Sequence, residues 1–224
     1  MTVAAASDFL PVEQELSTRF GKVCECKLIF VNGSSGMLAQ QIRNGAPFDV
    51  YLSANEQYVK DMEASGHLLK ASGRVYAIGR LGLWSKNRSR RRLEDLPGAS
   101  VTHVAIANPV HAPYGVAARQ MLQRLKLWAT MAPRIVYAEN VRQALQFAES
   151  GNAEAAIVAW SLVHNRGGVL LPAELHDPIR QAGAVVRSSH QPALARRLLD
   201  FLTSPDGARL LERFGFFAAP EDPR

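Results

Sequence analysis

KLIFVNGSSGMLAQQIRNGAPFDVYLSA, residues 27–54, sets an apolar run, a glycine- and serine-rich turn, a helical stripe and a second apolar run one after another. The first run, Lys27–Val31, reads as a strand. Gly33 and Gly36 allow close approach to the backbone. Ser34 or Ser35 caps a helix whose inner face begins with Leu38 and Ile42. Asp49–Ser53 is the next strand. A strand, a crossover helix and another strand in so short a stretch is the pattern of a parallel βαβ unit.

The same alternation runs outward in both directions. Further strands are expected at Val3–Ala6, Tyr76–Trp84, Val104–Ala107, Ile135–Tyr137, Ala155–Ala159 and Ala184–Arg187. Apolar stripes at helical spacing are carried by Val12, Leu16 and Phe20, by Tyr114, Ala117, Ala118, Met121, Leu122 and Leu125, and by Val141, Ala144, Leu145 and Ala148. Pro192–Thr203 and Pro205–Phe214 add two helices near the end. The class is α/β, with mainly parallel sheets covered by helices. No Pro/Gly/Ser linker separates independent domains, so two lobes require a chain that crosses more than once. Tyr76–Trp84 and Arg180–Val186 are the expected crossings, giving a discontinuous lobe I (1–79 and 183–224) and a lobe II (80–182).

The chain has 224 residues, 47% of them hydrophobic, and can bury a sizeable core. No stretch reaches the roughly 20 apolar residues of a membrane span, so no membrane insertion is expected. The sequence opens directly into TVAAASDFL, and a leader removed ahead of it is expected. The net charge of +6 owes much to Arg88, Arg90, Arg91 and Arg92, read as a solvated loop. Basic residues are neither interleaved with aromatics nor placed on a recognition helix, which argues against nucleic acid. Cys24 and Cys26 fall in VCECKLIF, which alternates like a strand, puts both on one face and places them poorly to bridge each other; they are expected as packed or reduced thiols. A lone C-x-C is no metal site, and no direct cation ligands and no cofactor are expected.

Four places combine a strand end, a small or hydroxyl residue and a helix start, the arrangement that offers backbone N–H groups and a positive helix terminus to an anion. They are AAASDF with Ser7, NGSSGM with Ser34 and Ser35, NPVHAPYG with Pro113 and Tyr114, and AENVRQ with Asn140 and Val141. Each alone is an ordinary capped helix. Four together, two in each proposed lobe, would make a donor-rich and acceptor-poor site for a dianion without any lysine or arginine.

AAASDF, the run from Gly33 through Ala54, ANPVHAPYG and AENVRQALQFAESGNAEAAIV resemble the signature segments of the periplasmic molybdate-binding proteins, the solute receptors of ABC importers. The resemblance spans nearly the whole chain in order. It implies the two-lobed type II periplasmic-binding-protein fold, each lobe a mixed, mainly parallel sheet flanked by helices, joined by a two-strand hinge. It implies a monomeric, extracytoplasmic protein that captures molybdate or tungstate and hands it to a membrane permease. The ligand would be held by the hydroxyl and N–H of Ser7 and of Ser35 and by the N–H groups of Tyr114 and Val141, with Asp8, Ser34 and Asn140 behind them. Two positions depart from the family pattern. Ala159 stands where some members supply a tyrosine hydroxyl, which Tyr114 either replaces or does not. Asp8 either points outward or orients a donor, or else accepts a hydrogen bond from a protonated oxyanion such as hydrogen phosphate.

Other readings have less behind them. GSSGM lacks the closing glycine of a nucleophile elbow, and His67, His103, His111, His164, His176 and His190 are scattered, so no catalysis is expected. Capture of phosphate, sulfate or chromate instead, or service as the oxyanion-sensing domain of a regulator, are the alternatives.

Overall fold

The computed structural model describes residues 1–87 and 92–219. In chain order the elements are β1 (Thr2–Ala6), α1 (Glu13–Cys24), β2 (Ile29–Gly33), α2 (Ser35–Arg43), β3 (Val50–Ser53), α3 (Glu56–Ala64), β4 (Arg74–Gly79) and β5 (Leu81–Trp84). They continue with β6 (Val104–Ala107), α4 (Pro113–Arg124), α5 (Trp128–Met131), β7 (Ile135–Ala138), α6 (Val141–Ser150), β8 (Ala155–Ala159), α7 (Trp160–Val163), β9 (Val169–Leu170), β10 (Ile179–Val185), α8 (Pro192–Thr203) and α9 (Pro205–Arg213). The chain forms two compact units. Unit 1 is Met1–Ile78 with Arg180–Arg224, and unit 2 is Gly79–Ile179.

Unit 1 carries a five-stranded sheet in the order β2-β1-β3-β10-β4. β1 runs parallel to β2 and β3, while β10 is antiparallel to β3. Side chains alternate across a strand, and both faces of this sheet are apolar. Val3, Ala5, Val50, Leu52 and Val185 pack with Leu16, Phe20, Leu198, Leu202 and Leu210 on one face. Ala4, Tyr51, Ala182 and Ala184 pack with Leu38, Ile42, Val59 and Met62 on the other. Burial on both sides explains why β1 and β3 read as continuous apolar runs.

Unit 2 carries the sheet β7-β6-β8-β5-β9. β6 is parallel to β7 and β8, and β5 is antiparallel to β8 and β9. Gly115 lets the first turn of α4 sit on the end of β6: a Cβ there would lie 2.1 Å from the carbonyl oxygen of Ala107.

Three sequence expectations change. The run expected as one strand from Tyr76 to Trp84 is broken at Arg80 into β4 and β5, which belong to different sheets. The last strand of unit 1 starts at Ile179 rather than Ala184. Cys24 and Cys26 are not free thiols on one strand face but form a disulfide. Helix α1 runs on to Cys24, and Glu25 adopts the left-handed conformation at φ 52°. The chain reverses there instead of extending, which brings the two Cα atoms to 5.1 Å. Arg88, Arg90 and Arg91 lie outside the described residues; Arg92 is solvated and pairs with exposed Glu94 at 3.5 Å.

Candidate functional site

Both units present the same construction at the C-terminal ends of two adjacent parallel strands. In unit 1 the strands are β1 and β2, in register with Ala6 beside Gly33. β1 leads directly into Ser7 and Asp8, which open a 3-10 turn from Ser7 to Val12 before α1 begins. Pro11, inside that turn, has no N–H to give to an α-helical ladder. Ser7 is not the cap expected from sequence: Ala6 holds the capping position, and no side chain caps this start. The Ser7 hydroxyl instead donates to the carbonyl of Gly33 at 3.1 Å, joining the two strand ends.

β2 leads into α2. Ser34 is the cap, its Oγ accepting from the Met37 N–H at 3.4 Å. Ser35 is fully buried as the first helical residue. Its Oγ accepts from the Ala54 N–H at 3.0 Å, and its carbonyl accepts from the Tyr51 hydroxyl at 2.7 Å. The Ala54 N–H thus occupies the acceptor side of the Ser35 hydroxyl. Among the described residues no acceptor takes its proton. The Tyr51 hydroxyl has its pKa pushed well up, chiefly by burial, and stays a donor.

In unit 2 the strands are β6 and β7, with Ala107 beside Ala138. The Asn108 N–H donates to the Ala138 carbonyl at 2.7 Å and ties the ends together. The turn after β6 carries His111 and enters α4 at Pro113, in the first turn of the helix, followed by buried Tyr114. After β7, Asn140 caps α6: its Oδ1 accepts from the N–H groups of Arg142 and Gln143, both at 3.0 Å. Because the cap reaches those two, the N–H of buried Val141 has no acceptor among the described residues.

Ser7 and Ser35 follow the paired ends of β1 and β2 in unit 1, and Tyr114 and Val141 lie in the first turns of the helices that follow the paired strands β6 and β7 in unit 2. Ala159 is fully buried at the end of β8 and offers no side-chain donor. Asp8 does not point outward. It is buried beside Ser7, and its Oδ2 accepts from Gln181 Nε2 at 2.7 Å. Sequence reasoning missed Gln181, Tyr76 and Tyr51. The available signal was a glutamine and two tyrosines in otherwise apolar strands, where a polar group must find a partner.

The site positions in each unit are serine hydroxyls and backbone N–H groups. Such a set can hold an anion through hydrogen bonds and helix-start dipoles, and its charge state does not change near neutral pH. No group of three or more His, Cys, Asp or Glu side chains able to hold a metal ion occurs among the described residues.

Residues 1–217 match the family model for bacterial extracellular solute-binding proteins. The molybdate-binding protein ModA of Rhodobacter capsulatus is 34% identical over 95% of this chain and 86% of its own. The solved periplasmic molybdate-binding protein of Azotobacter vinelandii superposes with a TM-score of 0.93 at 30% identity, covering 98% of this chain and 100% of that one. The two five-stranded α/β sheets have the type II periplasmic-binding-protein fold of that structure. The sulfate-binding protein SubI of Mycobacterium tuberculosis shares the fold with a TM-score of 0.81 at 16% identity.

Proposed function

We propose, for a chain that belongs to the bacterial extracellular solute-binding protein family, that it captures molybdate or tungstate outside the cytoplasm and delivers it to the permease of an ABC importer. The relatives at 30% identity or above named here are molybdate-binding proteins. The residues assigned to the oxyanion are Ser7 and Ser35 in unit 1, Ser7 through its N–H because its hydroxyl already donates to Gly33, and Tyr114 and Val141 in unit 2.

The observation that carries this reading is how the capping bonds are distributed. In α2 and α6 the caps Ser34 and Asn140 take N–H groups deeper in the first turn. The outermost donors, the Ser35 hydroxyl and the Val141 N–H, are left to an outside acceptor. Such outward-facing donors suit a fully deprotonated dianion. Each charge-assisted hydrogen bond contributes about 1.5–3 kcal/mol, so five to seven of them support binding at about −8 kcal/mol, a micromolar Kd or tighter. A site with no side-chain acceptor engaged by the ion selects against protonated anions. Asp8 lies next to Ser7 with Oδ2 accepting from Gln181, and titration with phosphate tests whether its carboxylate favours hydrogen phosphate.

The Cys24–Cys26 disulfide fits an oxidising compartment, and no helix among the described residues is long and apolar enough to cross a membrane. We read the chain as a receptor and not a catalyst, working as a monomer without a cofactor. Calorimetric titration with molybdate, tungstate, sulfate, phosphate and chromate tests the assignment. One-to-one binding of molybdate and tungstate with similar Kd, and weak competition by sulfate, is expected. A response to phosphate equal to that to molybdate rejects it.

A further inference from the structure

A carboxylate buried beside an anion site is costly unless it is hydrogen-bonded. Asp8 is 1% exposed and follows Ser7 directly. It needs a reason to be there, and Gln181 supplies one.

We propose that Asp8 and Gln181 are positioning residues for the Ser7 donor, linked through Tyr76 to the strands on which the chain leaves and re-enters unit 1. This rests on the reading of Ser7 as an oxyanion donor. Gln181, fully buried on β10, donates from Nε2 to Asp8 Oδ2 at 2.7 Å. Its Oε1 accepts from the Tyr76 hydroxyl on β4 at 3.4 Å. Burial, and then the charge of Asp8, hold the Tyr76 hydroxyl well above its usual pKa, so it serves as a donor. That donor fixes which end of the Gln181 carboxamide faces Asp8: the oxygen turns to Tyr76 and the NH2 to the carboxylate.

The anchor does what a cap does elsewhere. α2 and α6 are held at their starts by Ser34 and Asn140, whereas the turn opening at Ser7 has no side-chain cap. The Asp8–Gln181 bond fixes that turn from its second residue. The bond also ends on particular strands. β10 and β4 are neighbours in the sheet, and the chain leaves unit 1 after Ile78 and returns at Arg180. Tyr76 and Gln181 sit next to those two crossings, so a shift of either strand end is passed to Asp8 and to the direction of the Ser7 N–H.

The test uses the full chain with molybdate as the probe, read by calorimetry for Kd and by melting of the ligand-free protein for stability. Asp8→Ala and Gln181→Ala are each expected to weaken molybdate binding by at least about fivefold. The double variant is expected to lose little more than either single one, because the two act as one unit. Asp8→Asn, whose amide oxygen still accepts from Gln181, is expected to bind within about fivefold of wild type. A purely structural role would lower the melting temperature and leave Kd unchanged. Losses under fivefold in the alanine variants, additive losses in the double variant, or an Asp8→Asn loss as large as that of Asp8→Ala overturn the proposal. Should Asp8→Ala fail to fold, Tyr76→Phe decides: a raised Kd with a near-normal melting temperature supports the relay, and an unchanged Kd overturns it. If the wild-type chain binds none of the oxyanions, the functional reading falls and this proposal with it. Wild-type binding that survives in the alanine variants removes the proposal alone.

Discussion

Replacing Ser35 with alanine removes a hydroxyl that has two separable roles. Its oxygen accepts from the buried Ala54 N–H at 3.0 Å, and its proton is assigned to the ligand. The first loss leaves a buried donor unsatisfied, at a cost of about 1–3 kcal/mol of folding stability. For a chain of this size that is a drop in Tm of roughly 2–4 °C per kcal/mol. The second loss removes a donor to a doubly charged ion, about 1.5–3 kcal/mol, which is about a 10- to 150-fold rise in Kd. Scanning calorimetry of the ligand-free variant reads the first effect, and molybdate titration at 25 °C, below any melting, reads the second. Tyr51→Phe serves as the control. It removes the 2.7 Å bond to the Ser35 carbonyl and is expected to lower Tm with a much smaller change in Kd. If Ser35→Ala melts lower but binds molybdate within about twofold of wild type, the hydroxyl proton is not given to the ligand and the assignment of donors in unit 1 is refuted.

Asn140→Ala removes both capping bonds at α6 and is expected to cost about 1 kcal/mol of stability, measured by urea unfolding. Its effect on Kd should be smaller than that of Ser35→Ala, because the Val141 N–H survives. His176 is buried, with Nδ1 2.7 Å from the Asp177 carbonyl, and burial holds its pKa below the usual value of 6.5. In the acid range the unfolded state therefore binds the extra proton first, so the His176 contribution is intact above about pH 6.5 and is lost as the pH falls through that value. Stability measured from pH 8 to 5 should show this loss in the wild type and less of it in His176→Gln. Reduction of Cys24–Cys26 opens a loop with a sequence separation of only 2, so it should lower stability by no more than about 2 kcal/mol. Titration of the reduced protein should leave the molybdate Kd nearly unchanged, since the disulfide lies at the end of α1 remote from Ser7.

What the sequence made legible was local. Gly33, Ser34, Pro113 and Asn140 mark helix starts through their own backbone chemistry, and the doubly buried β1 and β3 announce themselves as unbroken apolar runs. What stayed hidden depends on partners far along the chain. Gln181 meets Asp8 across 173 positions and Tyr76 across 105, and nothing near any of the three residues signals the others. The break at Arg80 was hidden because Tyr76–Gly79 and Leu81–Trp84 are equally apolar; only their different sheets separate them. Cys24 and Cys26 were misread because alternation in VCECKLIF suited a strand, while the left-handed turn at Glu25 is a backbone choice that glutamate does not advertise.

The order of strands in unit 1 also constrains when this protein can be finished. β10 lies between β3 and β4, so the first sheet stays divided until the segment at 179–185 has been made, and α8 and α9 must follow to cover one face. Residues 79–179, in contrast, form one uninterrupted stretch of chain. Closing a pairing across so long an intervening segment is slow. A polypeptide emerging from the ribosome therefore keeps the β3 edge of its first sheet unsealed until late in synthesis.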